Sequence, residues 1–107
     1  MTSFPDRERG FEAKFAHDEE LRFKAAARRD GLTAHWAAQK LGLAGAGERE
    51  YVTKLLSADL ERPGTDVVFE MLRKDFDAAG VNESDQRIRH VMDEFFAQAI
   101  AQIKAGI

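Results

Sequence analysis

Apolar residues recur along most of this chain three and four positions apart, the period of an amphipathic helix, and no stretch alternates as a half-buried strand does. The first long stretch covers residues 18–43, where Leu21, Ala25, Leu32, Trp36 and Leu43 share one helical face. Asp18 is placed to cap it, and Glu19 and Glu20 suit the positive end of a first turn. Asp18–Arg22 and Glu20–Lys24 are i,i+4 pairs in the favourable order. Asp30-Gly31 is a soft spot, since an interior glycine costs about 1 kcal/mol relative to alanine. The periodicity continues through it, and Gly42 in 41-LGLAGAG-47 is the expected stop. A second helix is expected over 48–61, with Tyr51, Val52, Leu55, Leu56 and Leu60 as its apolar positions. The turn 62-RPGT-65 ends it, because Pro63 cannot continue the ladder. Thr65 is the expected cap of a third helix that buries Val68, Leu72 and Phe76, with Met71 beside them, and closes at Gly80. Asn82 or Ser84 caps a fourth, with Ile88, Val91, Met92, Phe95, Ala99 and Ile103 on one face. Four helices on short loops predict an all-α fold, a small four-helix bundle.

Residues 1–17 follow a different pattern. At about 100° per residue, Phe4, Phe11 and Phe15 fall within about 20° of one direction and form a stripe. The face containing Leu21, Ala25, Leu32, Trp36 and Leu43 is rotated from it by roughly 80°, and Phe23 belongs to neither. Arg7 and Lys14 flank the stripe on one side, and Glu8, Glu12 and Glu19 on the other. Gly10 and the like-charged Glu8–Glu12 pair make the segment a poor helix in isolation. Such a segment suits disorder or fraying when alone and helix formation on a partner. Spacing leaves two readings open: the segment folds back on its own domain, or it is an arm that binds another protein. Either the chain breaks near His17 or the Phe stripe has a partner of its own. The angular mismatch puts the division of the chain near His17, between an N-terminal segment, 1–17, which on the second reading is a mobile or marginally helical arm, and a bundle domain, 18–107.

Composition narrows the function. The 107 residues suffice for one modest domain, and 44% hydrophobic with 33% charged residues marks it as globular. No cysteine is present, which excludes disulfides, thiolate catalysis and zinc fingers of the cysteine type and suits a reducing cytosol. The start MTSFPDRERGF has no apolar core, so no signal peptide is expected. No apolar run approaches the ~20 residues that span a bilayer, so direct membrane insertion is not expected. A net charge of −3 argues against nucleic acid as the main partner.

The remaining constellations are weak. His90 with Asp93 and Glu94 has a faint metal-ligand spacing but no second cluster, and a solvated helix face is the plainer reading. His17, beside Asp18-Glu19-Glu20, is a candidate pH sensor, set against an ordinary exposed histidine. The glycine-rich 42-GLAGAG-47 follows a helix rather than a strand and lacks the P-loop lysine, so it reads as an interhelical loop. Weak adenine-nucleotide binding at Arg28, Arg29 or Trp36 is a secondary reading, beside solvated arginines and a core tryptophan. No nucleophile–base arrangement or paired carboxylates in an apolar pocket point to an enzyme.

The run Phe4, Asp6-Arg7-Glu8, Phe11-Glu12, Lys14-Phe15-Ala16, Asp18-Glu19 resembles the N-terminus of the ζ subunit of alphaproteobacterial F1FO-ATP synthases. The resemblance continues through Phe23-Lys24, Ala27-Arg28-Arg29, Trp36-Ala37-Ala38 and Leu41-Gly42-Leu43. It is thinner at Tyr51, Asp59, 69-FEMLRKDFDAAGV-81 and 87-RIRHVMDE-94. It implies a small four-helix regulatory protein, not an enzyme and without a required cofactor, that binds the F1 sector and inhibits ATP hydrolysis. The N-terminal segment would enter an interface between α and β subunits and reach toward γ. Phe4, Arg7, Glu8, Phe11, Glu12, Lys14 and Phe15 would be its contact residues. The implied location is cytoplasmic, peripheral to the inner membrane through F1, and the free protein is expected to be a monomer. Gly10 departs from what an inhibitory helix would favour. The competing reading is a small helical nucleotide- or ligand-binding module whose N-terminal helix belongs to its core.

Overall fold

The computed structural model describes the backbone of residues 3–63 and 65–107 and the side chains of residues 18–63 and 65–107. Four helices follow one another: α1 (Ser3–Lys40), α2 (Ala46–Glu61), α3 (Val67–Ala79) and α4 (Asp85–Lys104). No strand occurs among the described residues. The all-α, four-helix architecture is the one the apolar spacing predicts. The first helix is longer than expected, starting at Ser3 rather than Asp18, and it runs on through Gly31. It ends at Lys40. Gly42 then takes a left-handed φ of 75°, and the Leu43 N–H donates back to the Ala38 carbonyl at 2.8 Å. That closure satisfies a carbonyl the helix leaves free, and it needs a residue without a Cβ penalty at Gly42. Gly80 closes α3 the same way, with φ 71° and the Val81 N–H on the Phe76 carbonyl at 2.9 Å.

The core joins Ala34, Ala37 and Ala38 of α1 to Tyr51 and Leu55 of α2, Val67, Val68, Leu72 and Phe76 of α3, and Ile88 of α4. This corrects the expected face of α1. Of the residues first assigned to it, only Ala25 is buried; Leu21, Leu32, Trp36 and Leu43 are half-buried. The buried face from Asp30 to Ala38 is built of small side chains: Asp30, Thr33, Ala34, Ala37 and Ala38. Small residues let the backbone approach, and the space is filled from the other side by Leu55, Leu72 and Phe76, all fully buried. Trp36 meets the Phe76 ring edge-on at 5.6 Å, the geometry ring quadrupoles favour.

Two smaller corrections concern α2 and α3. Leu60 is 66% exposed at the C-terminal end of α2 rather than packed. Thr65 does not cap α3; its hydroxyl donates to the Arg62 carbonyl at 2.6 Å and tightens the turn. The N-cap position falls to Asp66, whose carboxylate makes no cap bond because Arg89 of α4 takes both its oxygens, at 2.8 and 2.6 Å. The fourth helix begins as expected, with Ser84 Oγ accepting from the Arg87 N–H at 3.0 Å.

Gly31 sits inside α1, and a methyl group there would meet no atom within 4 Å. Gly31→Ala therefore removes an entropy cost without a steric one. Thermal unfolding of this variant should show stabilisation by about 0.5–1 kcal/mol, roughly 3–6 °C in Tm.

Candidate partner-binding surface

The contact residues expected from the sequence, Phe4, Arg7, Glu8, Phe11, Glu12, Lys14 and Phe15, have numbers within α1, but their side chains lie outside the described residues. So does that of His17. The described side chains begin at the next turn. Asp18, Glu19, Glu20, Arg22, Phe23 and Lys24 are all exposed there, and Lys24 pairs with Glu20 at 2.9 Å as the spacing predicts. Phe23, which belonged to neither expected stripe, is 64% exposed. It stands at one end of an open groove of about 860 Å³ whose floor includes Ala27 and Leu32 of α1, Leu56 of α2 and Ile103 of α4.

The groove's basic groups are already engaged. Arg28 donates to the Ile107 carbonyl at 2.6 Å and meets the Gln102 side-chain oxygen at 3.5 Å, which ties the chain after α4 against α1. His35 Nδ1 lies 2.6 Å from Glu48, joining α1 to the start of α2. Arg28, Arg29 and Trp36 do not converge. Arg28 lines the groove, Trp36 packs on Phe76, and Arg29 turns to its neighbour Asp30 and to the Phe96 ring, 5.7 Å away. His90 pairs with Glu94 at 2.8 Å on an exposed face of α4.

The sequence reading missed the polar ties that hold the helices in place. Tyr51, an apolar position by spacing, donates its hydroxyl to Asp75 at 2.8 Å; burial and that carboxylate push its pKa well up. Arg73 holds Asp77 at 2.6 Å, the Glu83 carbonyl at 2.7 Å and Asp85 at 2.9 Å, pinning the α3–α4 loop. Lys40 of α1 reaches Glu83 of the same loop at 3.2 Å. Arg89, besides pairing with Asp66, stacks over Phe69 at 3.8 Å. Apart from Arg73–Asp77, an i,i+4 pair within α3, these partners are ten or more positions apart, and no spacing rule announces them.

Asp30 was also missed. It is 1% exposed, and Arg29 donates to its Oδ1 from Nε at 3.1 Å and Nη2 at 3.0 Å. Among the described residues, its other oxygen and the buried Thr33 hydroxyl one turn on have no hydrogen-bond partner. Burial foremost, then the Asp59 carboxyl facing it from α2, raise its pKa from 3.8 to about 7 against the opposing pull of Arg29. An aspartate one turn before Thr33-Ala34 and two before Ala37-Ala38 was the available signal.

With helices and surface placed, the family can be assigned. The family model for ATPase inhibitor subunit zeta matches residues 1–102, which covers the N-terminal segment, all four helices but the last turn of α4, and every loop. The chain belongs to this family. No curated protein matches the chain. Membership in the zeta family assigns a regulatory, ATPase-inhibiting role. Among the described residues no helix is long and apolar enough to cross a membrane.

Exposure separates the two kinds of phenylalanine. Phe23→Ala should leave unfolding free energy within about 0.5 kcal/mol of the parent. Phe76→Ala should cost about 3–5 kcal/mol. Chemical denaturation of both variants checks the contrast.

Proposed function

We propose that this zeta-family subunit inhibits ATP hydrolysis by the F1 sector of ATP synthase through residues 1–17. In this reading the segment enters an α/β catalytic interface near γ as a helix, while the bundle, 18–107, stays outside. One observation carries the proposal. The family model for ATPase inhibitor subunit zeta matches from residue 1 onward, through the run that carries Phe4, Phe11 and Phe15. Residues 1–17 thus fall inside the matched region, and their aromatic stripe is apolar area for a partner to bury.

The physics of inhibition follows from that placement. Rotary catalysis needs each α/β interface to open and close in turn. A helix that makes contacts in one of those states and blocks the next holds the enzyme in the first, by differential affinity alone. Each ring buried in the interface contributes on the order of 1.5–3 kcal/mol. Arg7 and Lys14 on one flank, and Glu8 and Glu12 on the other, set the register more than the affinity. Ordering the segment offsets part of the gain, and Gly10 enlarges that cost. The subunit would then sit at the cytoplasmic side of the inner membrane, held there by F1.

The test is ATP hydrolysis by the cognate F1 with full-length protein and with a form lacking residues 1–16. The truncated form should keep its helical circular dichroism and lose inhibition. Phe11→Ala and Phe15→Ala should each raise the half-inhibitory concentration about tenfold or more. Full inhibition by the truncated form would overturn the proposal.

A further inference from the structure

Asp30 lies where α1 crosses the last turn of α2, and it is the one carboxyl group that is buried among the described residues. Arg29 satisfies Oδ1, but no described residue donates to Oδ2. Asp59, half-buried on α2, faces it within hydrogen-bonding reach. Two carboxylates held that close in a desolvated setting repel, and neither can give the other a hydrogen bond. The missing donor is a proton. Thr33, the nearest buried hydroxyl on α1, makes no hydrogen bond that substitutes for it.

The groups on the neighbouring helices leave the pair short of positive charge. Arg29 comes from α1 itself. The adjoining cavity of about 120 Å³ is bordered by Arg29, Asp59, Asp66 ahead of α3, and Arg89 and Asp93 of α4. Arg89 is bonded through both terminal nitrogens to Asp66, and Asp93 adds another carboxyl to the lining of the same cavity. Among the described residues Arg29 is then the one cation bonded to Asp30.

We propose that Asp30 and Asp59 share a single proton that latches α1 onto α2, so that the bundle is tightest in acid and loosens when the proton leaves. The protonated oxygen of one carboxyl donates to an oxygen of the other, and loss of the proton replaces that hydrogen bond with repulsion. The sign follows from linkage. Burial and the facing carboxyl raise the pKa of Asp30 from 3.8 to about 7, so the folded chain holds a proton that the unfolded chain releases. The stability this group contributes is full below pH 3.8, falls as pH rises toward 7, and is lost above it. Because Asp30 sits on the helix that bears residues 1–17, the latch sets how firmly that helix is anchored. It concerns the bundle alone and does not depend on how those residues act on F1.

The full-length protein serves for the test. Carbon-13 NMR of the Asp30 carboxyl should show an inflection above about pH 5.5, well clear of ordinary aspartates. Thermal unfolding from pH 5 to 8.5 should show Tm falling as Asp30 ionises. Asp30→Asn, whose amide donates to Asp59 at every pH, should flatten that slope and raise Tm at pH 8 by at least about 4 °C. Asp59→Asn should move the Asp30 inflection down by about one pH unit or more. An Asp30 inflection below about pH 5.5 overturns the latch, and so does an unchanged slope in Asp30→Asn. If Asp30→Asn does not fold, the titration of the parent protein decides alone.

Discussion

Close approach of α1 to the rest of the bundle is the contact on which everything else rests. Ala34, Ala37 and Ala38 offer almost no side-chain bulk, so Phe76, Leu72 and Leu55 can fill the space against the helix itself. A larger residue at any of the three alanines would have to push α1 outward, because the partners opposite are already at full burial. The bulky Trp36 and Leu32 of the same helix, and Leu43 just after it, then serve as flanking cover over the seam.

Around this seam the charged side chains divide by what they hold. Arg73 and Lys40 fix the α3–α4 loop, Arg89 fixes the turn before α3, and Arg28 fixes the last residues of the chain. These are exposed or half-exposed pairs in water, each worth little on its own. Their effect is to choose one path for each loop. Asp30 is of another kind. It sits inside the seam, where a charge cannot be solvated, and it has one cation and one anion for neighbours. Arg89 holds the Asp66 carboxyl below its ordinary range, so acid weakens that surface pair while it strengthens the buried one.

The helices were legible in the sequence because each is punctuated by chemistry with a local cause. Gly42 and Gly80 stop helices through the left-handed conformation only glycine takes cheaply, and Ser84 starts one through its hydroxyl. The family, too, was legible, since its resemblance rests on a long run from Phe4 to Leu43. The packed face of α1 was not. Counting large apolar residues points to Leu and Trp, whereas close-packed helices are joined through their smallest side chains, and alanine carries almost no hydrophobic signal. Thr65 misled for a related reason: it is a good cap by composition, but its hydroxyl found the Arg62 carbonyl first. Asp30, Tyr51 with Asp75, and Arg73 with the Glu83 carbonyl and Asp85 depend on contacts beyond a single helix, and a one-dimensional pattern does not contain them; Arg73–Asp77, at i,i+4 within α3, was open to reading from spacing. The stripe of Phe4, Phe11 and Phe15 is legible as a regular spacing that the expected apolar face of residues 21–43 does not continue.

The chain has one tryptophan and one tyrosine, and both belong to the seam rather than to the N-terminal segment. Trp36 lies edge-on to Phe76, and Tyr51 is bonded to Asp75 in the same core cluster. The protein's ultraviolet emission is therefore a built-in optical gauge of the bundle interior. Docking of residues 1–17 on a partner leaves that emission untouched unless the docking strains the bundle, so intrinsic fluorescence separates a passive anchor from one that repacks under load.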